Sequence, residues 1–250
     1  MLITEQSGSV LSVRLNRPQV RNAFNHELIE ALHRALAKVP LGVRVLILSG
    51  EGEAFCAGGD LNWMREAAMY SQVQNYADAL RLAALFQAIA DCPVPVIARV
   101  HGGCFGGGCG LVAAADIAIA HENAKFAFSE VKLGLVPATI SRFVTPKIGP
   151  GQARALYTTG EVFDSARALR IGLVHEVTTD LDAAVAAKVR AILAGGPNAV
   201  HRAKNLARYT PPTNEAAAQL LAEVRASDEA KEGIAAFLDK RRATYFEEPV

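Results

Sequence analysis

The 250-residue sequence is short of several things that would each mark a common class of protein. It carries only four cysteines, Cys56, Cys92, Cys104 and Cys109, and no two of them stand in a CxxC pair. Its histidines do not cluster at metal-ligand spacing. A zinc site or a disulfide framework is therefore not expected, and free thiols in a reducing compartment are. No apolar run approaches the roughly 18–20 residues of a membrane span. Met1 to Val13 has no basic stretch followed by an apolar one, so a secretory signal is not expected. Charge of one sign is also missing. The formal net charge is +1, which gives no reason to expect a nucleic-acid or membrane-surface partner. A soluble cytoplasmic protein is the expectation. Neither a GK[ST] phosphate loop nor a GxSxG nucleophile elbow occurs.

What is present is material for a core: 51% of residues are hydrophobic and 20% charged. Periodicity predicts strands at Val10 to Leu15, Val43 to Leu48, Val96 to Val100, Ile117 to Ala120 and Lys125 to Phe128. It predicts helices over Asn22 to Lys38, Gln72 to Ala90 and Leu111 to Ala115. Five more follow: Gln152 to Thr159, Ser165 to Ile171, Leu181 to Leu193, Asn198 to Tyr209 and Glu215 to Tyr245. Asp60 and Asn62 are both candidate helix caps. Strands alternating with helices, then helices alone, imply a layered α/β core with a helical C-terminal part.

Two loops stand between a buried strand and a helix. One is Phe55-Cys56-Ala57-Gly58-Gly59-Asp60-Leu61; the other runs from His101 through Gly106-Gly107-Gly108 to Gly110. Glycine lets a ligand approach the backbone, and helix N-termini offer unpaired N–H groups to negative charge. Two such loops can aim two donors at one oxygen, the arrangement of an oxyanion hole. Tight turns alone would account for either loop taken singly. A dinucleotide-binding reading is weaker. Gly108-Cys109-Gly110-Leu111-Val112-Ala113 fits only a loosened GxGxxA, and Gly110 lies inside the helical stretch rather than opening it.

As a set, these residues carry a family resemblance. Leu15-Asn16-Arg17-Pro18 with Asn22-Ala23-Phe24, the Phe55–Leu61 loop, the Gly106–Cys109 loop with Val131 to Pro137, and Glu232-Gly233-Ile234-Ala235-Ala236-Phe237 resemble, in order and spacing, the signatures of the crotonase (enoyl-CoA hydratase/isomerase) family. The resemblance implies a ββα spiral core over residues 1–195 and a helical oligomerisation region over 196–250, assembled as a trimer or a dimer of trimers. It implies an acyl-CoA substrate, with coenzyme A part of that substrate and no separate cofactor or metal. The backbone N–H groups of Ala57 and Gly107 would hold the thioester oxygen, and Ala57, Gly58, Gly59, Asp60 and Leu61 would line the channel. Arg21 and Ala23, with Phe237 and Lys240 often from a neighbouring subunit, would reach the nucleotide.

Hydration needs a carboxylate to handle the protons of water. The family's best-known hydratases place one glutamate directly after the GGGC loop and another twenty residues on. Here the first position is Gly110 and the second is Glu130. The resemblance is nearest to the bacterial methylglutaconyl-CoA hydratase type of leucine and terpene degradation, through Gly59 to Met64, Phe105 to Val112 and Phe128 to Ala138. An enoyl-CoA hydratase using Glu130 is therefore expected. The alternatives are a one-glutamate double-bond isomerase and a weakly catalytic acyl-CoA-binding homologue. A distal carboxylate on the substrate would call for a cation, and Arg65, Lys132 and Arg142 are candidates. Trp63 and Met64 are expected at the acyl channel or in the core, His101 as a support of its loop, and Cys56, Cys104 and Cys109 as packing residues.

Overall fold

The computed structural model describes residues 1–248. The chain runs β1 (Leu2–Ser7), β2 (Val10–Leu15), α1 (His26–Ala37), β3 (Val45–Gly50), α2 (Leu61–Ala67), α3 (Gln72–Ala90), β4 (Val96–Val100), β5 (Gly103–Phe105) and α4 (Gly107–Ala114). It continues through β6 (Ile117–His121), β7 (Lys125–Ala127), α5 (Ala138–Thr159), β8 (Phe163–Asp164), α6 (Ser165–Arg170) and β9 (Glu176–Thr178). Four helices close it: α7 (Leu181–Leu193), α8 (Pro197–Arg208), α9 (Asn214–Ala226) and α10 (Asp228–Leu238). Short 3-10 turns lie at Pro18–Val20 and Glu130–Leu133.

Two sheets organise the molecule. The larger has the order β1-β2-β3-β4-β6-β9 and the smaller β5-β7-β8. Only the β1–β2 hairpin pairs antiparallel in the large sheet. Successive strand–strand–helix units, β4–β5–α4 and β6–β7–α5, place their first strands in the large sheet and their second in the small one. Side chains alternate along β3: Leu46 and Leu48 face the main core with Leu28, Leu32, Phe86 and Leu85, while Val45 faces a smaller cluster under α7. A parallel strand buried on both faces reads as an unbroken apolar run, as Val45 to Leu48 of β3 does.

Several boundaries differ from the sequence expectation. The helix expected from Asn22 starts at His26, because Arg21 and Asn22 adopt left-handed backbone and Asn25 caps the helix by accepting from Leu28 N–H. Asp60 caps α2; Asn62 lies inside that helix and supplies the N–H that Asp60 accepts. Helix α4 begins at Gly107, four residues before the expected Leu111. Helix α5 extends upstream to Ala138 and kinks at Gly149 between Pro146 and Pro150, prolines that interrupt its pattern. The long helix expected from Glu215 to Tyr245 breaks at Ser227, which caps α10, and ends at Leu238. Among the described residues, no helix is long and apolar enough to cross a membrane, and no group of three or more His, Cys, Asp or Glu is placed to hold a metal.

The register positions the loops. Leu46 pairs with Val96 and Leu48 with Ala98, so β3 and β4 end side by side and release the two glycine loops from the same edge. Phe105 pairs with Ala127, which delivers Glu130 three residues later beside the second loop. Loops at the carboxyl ends of parallel strands are where such sheets bind ligands.

Candidate active site

The two loops are fastened together by backbone hydrogen bonds. Phe55 N–H donates to His101 C=O at 2.9 Å, Cys56 N–H to Gly103 C=O at 3.1 Å, and Phe105 N–H to Cys56 C=O at 2.9 Å. The strand-like segment after Arg17 fastens the first loop from its other side. Phe24 N–H donates to Gly58 C=O at 2.7 Å and Asp60 N–H to Phe24 C=O at 2.8 Å. Buried Asn22 ties the same segment down, accepting from Arg17 N–H and donating to the carbonyls of Glu51 and Ala54, each at 2.8 Å.

This pattern corrects one expectation. The Ala57 N–H donates to Arg21 C=O at 2.9 Å and is not free for a ligand. The free donor is two residues on. Phe24 and Gly59 form a parallel bridge in which Phe24 bonds the neighbours of Gly59, so the N–H of Gly59 itself faces away. Among the described residues it has no acceptor. Gly107 opens α4, where N–H groups lack intrahelical partners, and its N–H likewise has none. The loops meet one residue before each donor: a Cβ on Gly58 would lie 4.0 Å from Gly106 Cα. Both glycines hold positive φ, +91° and +49°, which a side chain would strain.

Glu130 opens a 3-10 turn just past β7. Its Oε1 lies 3.2 Å from the position a Cβ on Gly106 would take, so the carboxylate stands over the junction of the loops. Its Oε2 is buried without a hydrogen-bond partner. Burial pushes the Glu130 carboxyl above its ordinary range, opposed only by its own backbone N–H. Tyr157 stands nearby: burial raises its phenol, and the Glu130 charge adds to that. Its hydroxyl lies 3.3 Å from Thr145 Oγ1 and its ring meets Phe128 edge-on. Nothing in the sequence pattern singles Tyr157 out.

Gly110 is buried, and the space beside it is filled. A Cβ there would overlap Ile140 Cγ2 and come 2.8 Å from the Phe86 ring. The position has no room for a glutamate side chain, and Glu130 is the carboxylate at the junction.

The remaining expected residues divide. Asp60 is buried, ion-paired to Arg17 at 2.9 Å, and capping α2, so its carboxylate is not available to a ligand. Burial acts to raise that carboxyl, but the Asn62 N–H and Arg17 outweigh it and hold it below the ordinary range. Arg17 was legible only as part of a motif; its fork spans Asp60 and the Ala23 carbonyl at 2.6 Å. Ala23 is buried, whereas Arg21 and Leu61 are exposed at the rim. Phe237 is 82% exposed, on a helix fastened elsewhere: Arg44, at the start of β3, donates to the carbonyls of Tyr245 and Gly195. Lys240 is also exposed, and the two loops leave the other end of β3. Arg65, Lys132 and Arg142 are all exposed, and Arg65 donates to Asn62 at 2.9 Å. Cys56, Cys104 and Cys109 are buried; burial pushes the Cys56 thiol up to about 12 and the Cys104 thiol well up, which leaves both protonated.

A cleft of about 1050 Å³ opens on the α7 face of the large sheet, but Gly58, Gly59, Gly106, Gly107 and Glu130 do not line it. Its arginines are paired, Arg14 with Glu5 and Glu51, Arg99 with Asp182.

Comparison with known proteins gives the family and the fold. The family model described as enoyl-CoA hydratase/isomerase matches residues 5–248. A crotonyl-CoA hydratase of Syntrophomonas wolfei is 32% identical over 98% of this chain and 97% of its own length. The crystal structure of an enoyl-CoA hydratase from Shewanella pealeana superposes with a TM-score of 0.94 at 37% identity, over 97% of this chain and 95% of that one. Pseudomonas aeruginosa AtuE gives a TM-score of 0.94 at 34% identity, over 98% of this chain and 99% of that one.

Proposed function

This chain belongs to the enoyl-CoA hydratase/isomerase family, has its crotonase fold and is an enoyl-CoA hydratase enzyme, and we propose that it hydrates its substrate with Glu130 as the one carboxylate at the reacting centre. The N–H groups of Gly59 and Gly107 bind the thioester oxygen and stabilise the enolate as charge moves onto it; losing one such donor typically costs ~100- to 1000-fold in rate. Glu130 takes a proton from water as the oxygen adds to the β-carbon, and returns a proton to the α-carbon. Water is added across the double bond and the carboxylate is regenerated.

The observation that carries this reading is Glu130 itself, with one oxygen buried and unpartnered over the junction of two loops whose next residues each offer a free N–H. The filled volume at Gly110 supports a single carboxylate. The same single carboxylate also suits a double-bond isomerase, which carries a proton between carbons without water. The methylglutaconyl-type substrate of leucine or terpene breakdown is supported by sequence resemblance alone, since the three cations considered for its distal carboxylate are exposed. A trimer, single or paired, is supported by the family resemblance together with the exposure of Phe237 and Lys240, the positions expected to reach a neighbour's nucleotide. Arg21, expected at the nucleotide end, is exposed.

Product mass decides. Incubation with crotonyl-CoA and 3-methylglutaconyl-CoA is expected to add one water, and Glu130→Gln to abolish the gain; a preference for the second substrate would carry the finer assignment. No water gain with either, together with conversion of a 3-enoyl-CoA at unchanged mass, would establish the isomerase instead.

A further inference from the structure

The two thioester donors come from separate loops, and one oxygen accepts from both only if each N–H lies about 2.7–3.1 Å from it. The hydrogen bonds that join the loops, at Phe55, Cys56 and Phe105, fall before Gly59 in one loop and before Gly107 in the other. Past those bonds, one residue reaches both donors. Phe24 brackets Gly59 with its backbone: its N–H donates to Gly58 C=O at 2.7 Å, and its C=O accepts from Asp60 N–H at 2.8 Å. Its ring lies against Gly107. A Cβ there would come 2.6 Å from Phe24 Cε2 and 3.0 Å from Cδ2, and the three atoms nearest to that position all belong to this ring. Phe24 is 1% exposed and meets Phe86 edge-on, with centroids 6.4 Å apart. A ring packed in this way keeps one position.

Arg17 holds the backbone half of the arrangement. Its guanidinium donates to Ala23 C=O at 2.6 Å and to Asp60 Oδ2 at 2.9 Å. Ala23 immediately precedes Phe24 and Asp60 immediately follows Gly59, so the fork spans the Phe24–Gly59 bridge. The Arg17 and Asp60 side chains are only 13% and 8% exposed. Buried ion pairs add little net stability, whereas a planar fork fixes the groups it joins. We propose that Phe24 is a positioning residue for the hydration: its backbone and ring together set the separation of the Gly59 and Gly107 donors, and Arg17 clamps it to the first loop. This rests on the reading of those two N–H groups as the thioester donors.

Isotope-edited infrared spectroscopy reads the donors directly. A saturated acyl-CoA labelled with carbon-13 at its thioester carbonyl binds without turnover, and hydrogen bonds to that oxygen lower its stretching frequency. In the unmodified protein the band is expected below that of the free ester. Phe24→Leu keeps the backbone bracket but removes the ring edge at Gly107. Its band should move back towards the free ester, and kcat with crotonyl-CoA should fall ~10- to 100-fold at little changed KM, because a misplaced donor is felt most in the transition state. Leu193→Ala truncates the separate core under α7; it controls for lost stability and should leave the band in place. Arg17→Met combined with Asp60→Asn removes the clamp, leaves no charge buried alone and keeps an oxygen for the α2 cap. Its band should move as in Phe24→Leu, and it gives a second reading should Phe24→Leu not fold. An unmoved band in either folded variant, or an equal move in Leu193→Ala, would overturn the proposal. A band at the free-ester position in the unmodified protein would instead sink the donor reading, and the proposal with it.

Discussion

At Glu130, burial works against the residue's own charge, and the consequences for rate and for stability have opposite signs. The ionised form is the base, so activity should fall as pH drops through the raised carboxyl pKa, placing the acid limb of kcat/KM above the ordinary carboxylate range. For stability, the folded chain holds this proton to higher pH than the unfolded chain does. Between the two pKa values the folded state binds more protons, so stability declines as pH rises through that window. Glu130→Gln should therefore melt higher than the unmodified protein at neutral pH, with the difference vanishing in acid, while losing ~100-fold or more in turnover. A variant that lost turnover and also melted lower would mark Glu130 as structural. Gly110 makes a second test at this scale. Placing a methyl between Ile140 and Phe86 should make Gly110→Ala lose ~1–3 kcal/mol in urea titration. Gly110→Glu should fare no better and gain no activity. An undisturbed urea midpoint would show that the space is not filled as described. Glu130 was identified from its place in a sequence motif. The donor was placed at Ala57 instead of Gly59 because motif spacing does not reveal which N–H is taken; that depends on the Arg21 carbonyl, which the left-handed turn at Arg21 and Asn22 brings across.

Among the elements, α4 is central to the proposed chemistry. Its first residue, Gly107, is the proposed donor, and its far end is closed by a lysine from another helix. Lys147 of α5 donates to Ala115 C=O at 2.7 Å and approaches Val112 C=O at 3.5 Å, a cation at the negative end of the helix. Burial pulls this ammonium down to about 8, with Asp116 opposing. From that value up to the ordinary lysine pKa, the unfolded chain holds the proton and the folded chain has released it, so stability gains with rising pH over that window. Comparing chemical denaturation at pH values on either side of about 8 should show this gain in the unmodified protein and its absence in Lys147→Met. An identical pH slope in the two would remove Lys147 from the account. The helices that periodicity found most cleanly are those with one buried apolar face, such as α7 with Leu181, Ala184, Val185, Val189 and Leu193 inward. Helix α4 is buried nearly all round and α5 carries two prolines, so neither shows a clean stripe, and their boundaries were missed. The edge strands β5, β8 and β9 are two or three residues long, too short for alternation to register.

For the whole molecule, the catalytic loops and the last helices are fastened at opposite ends of the large sheet. Helix α8 grips the lower end, where Lys204 pairs with Asp116 at 2.8 Å and donates to Val94 C=O at 3.0 Å, and Arg208 pairs with Asp91 at 2.7 Å. Helix α10 leaves Ile234, Phe237 and Leu238 exposed, spaced so that they share one helix face. An apolar stripe of this kind marks an interaction surface. In the proposed trimer, a second copy with its nucleotide end against that stripe would give Phe237 both a buried position and a ligand. Phe237→Asp is therefore expected to act twice. Sedimentation should show smaller particles than the unmodified protein, because a charge replaces an aromatic ring in the contact. The KM for an acyl-CoA should rise about tenfold, as the loss of ~1.4 kcal/mol of binding implies, with kcat largely kept, because the lost contact is made equally to bound substrate and transition state. The coupling is the informative part. Smaller particles at unchanged KM would make α10 an assembly surface only, and a raised KM in particles of unchanged size would make Phe237 a nucleotide contact that assembly does not require. The two changes together are what a site completed by its neighbour demands.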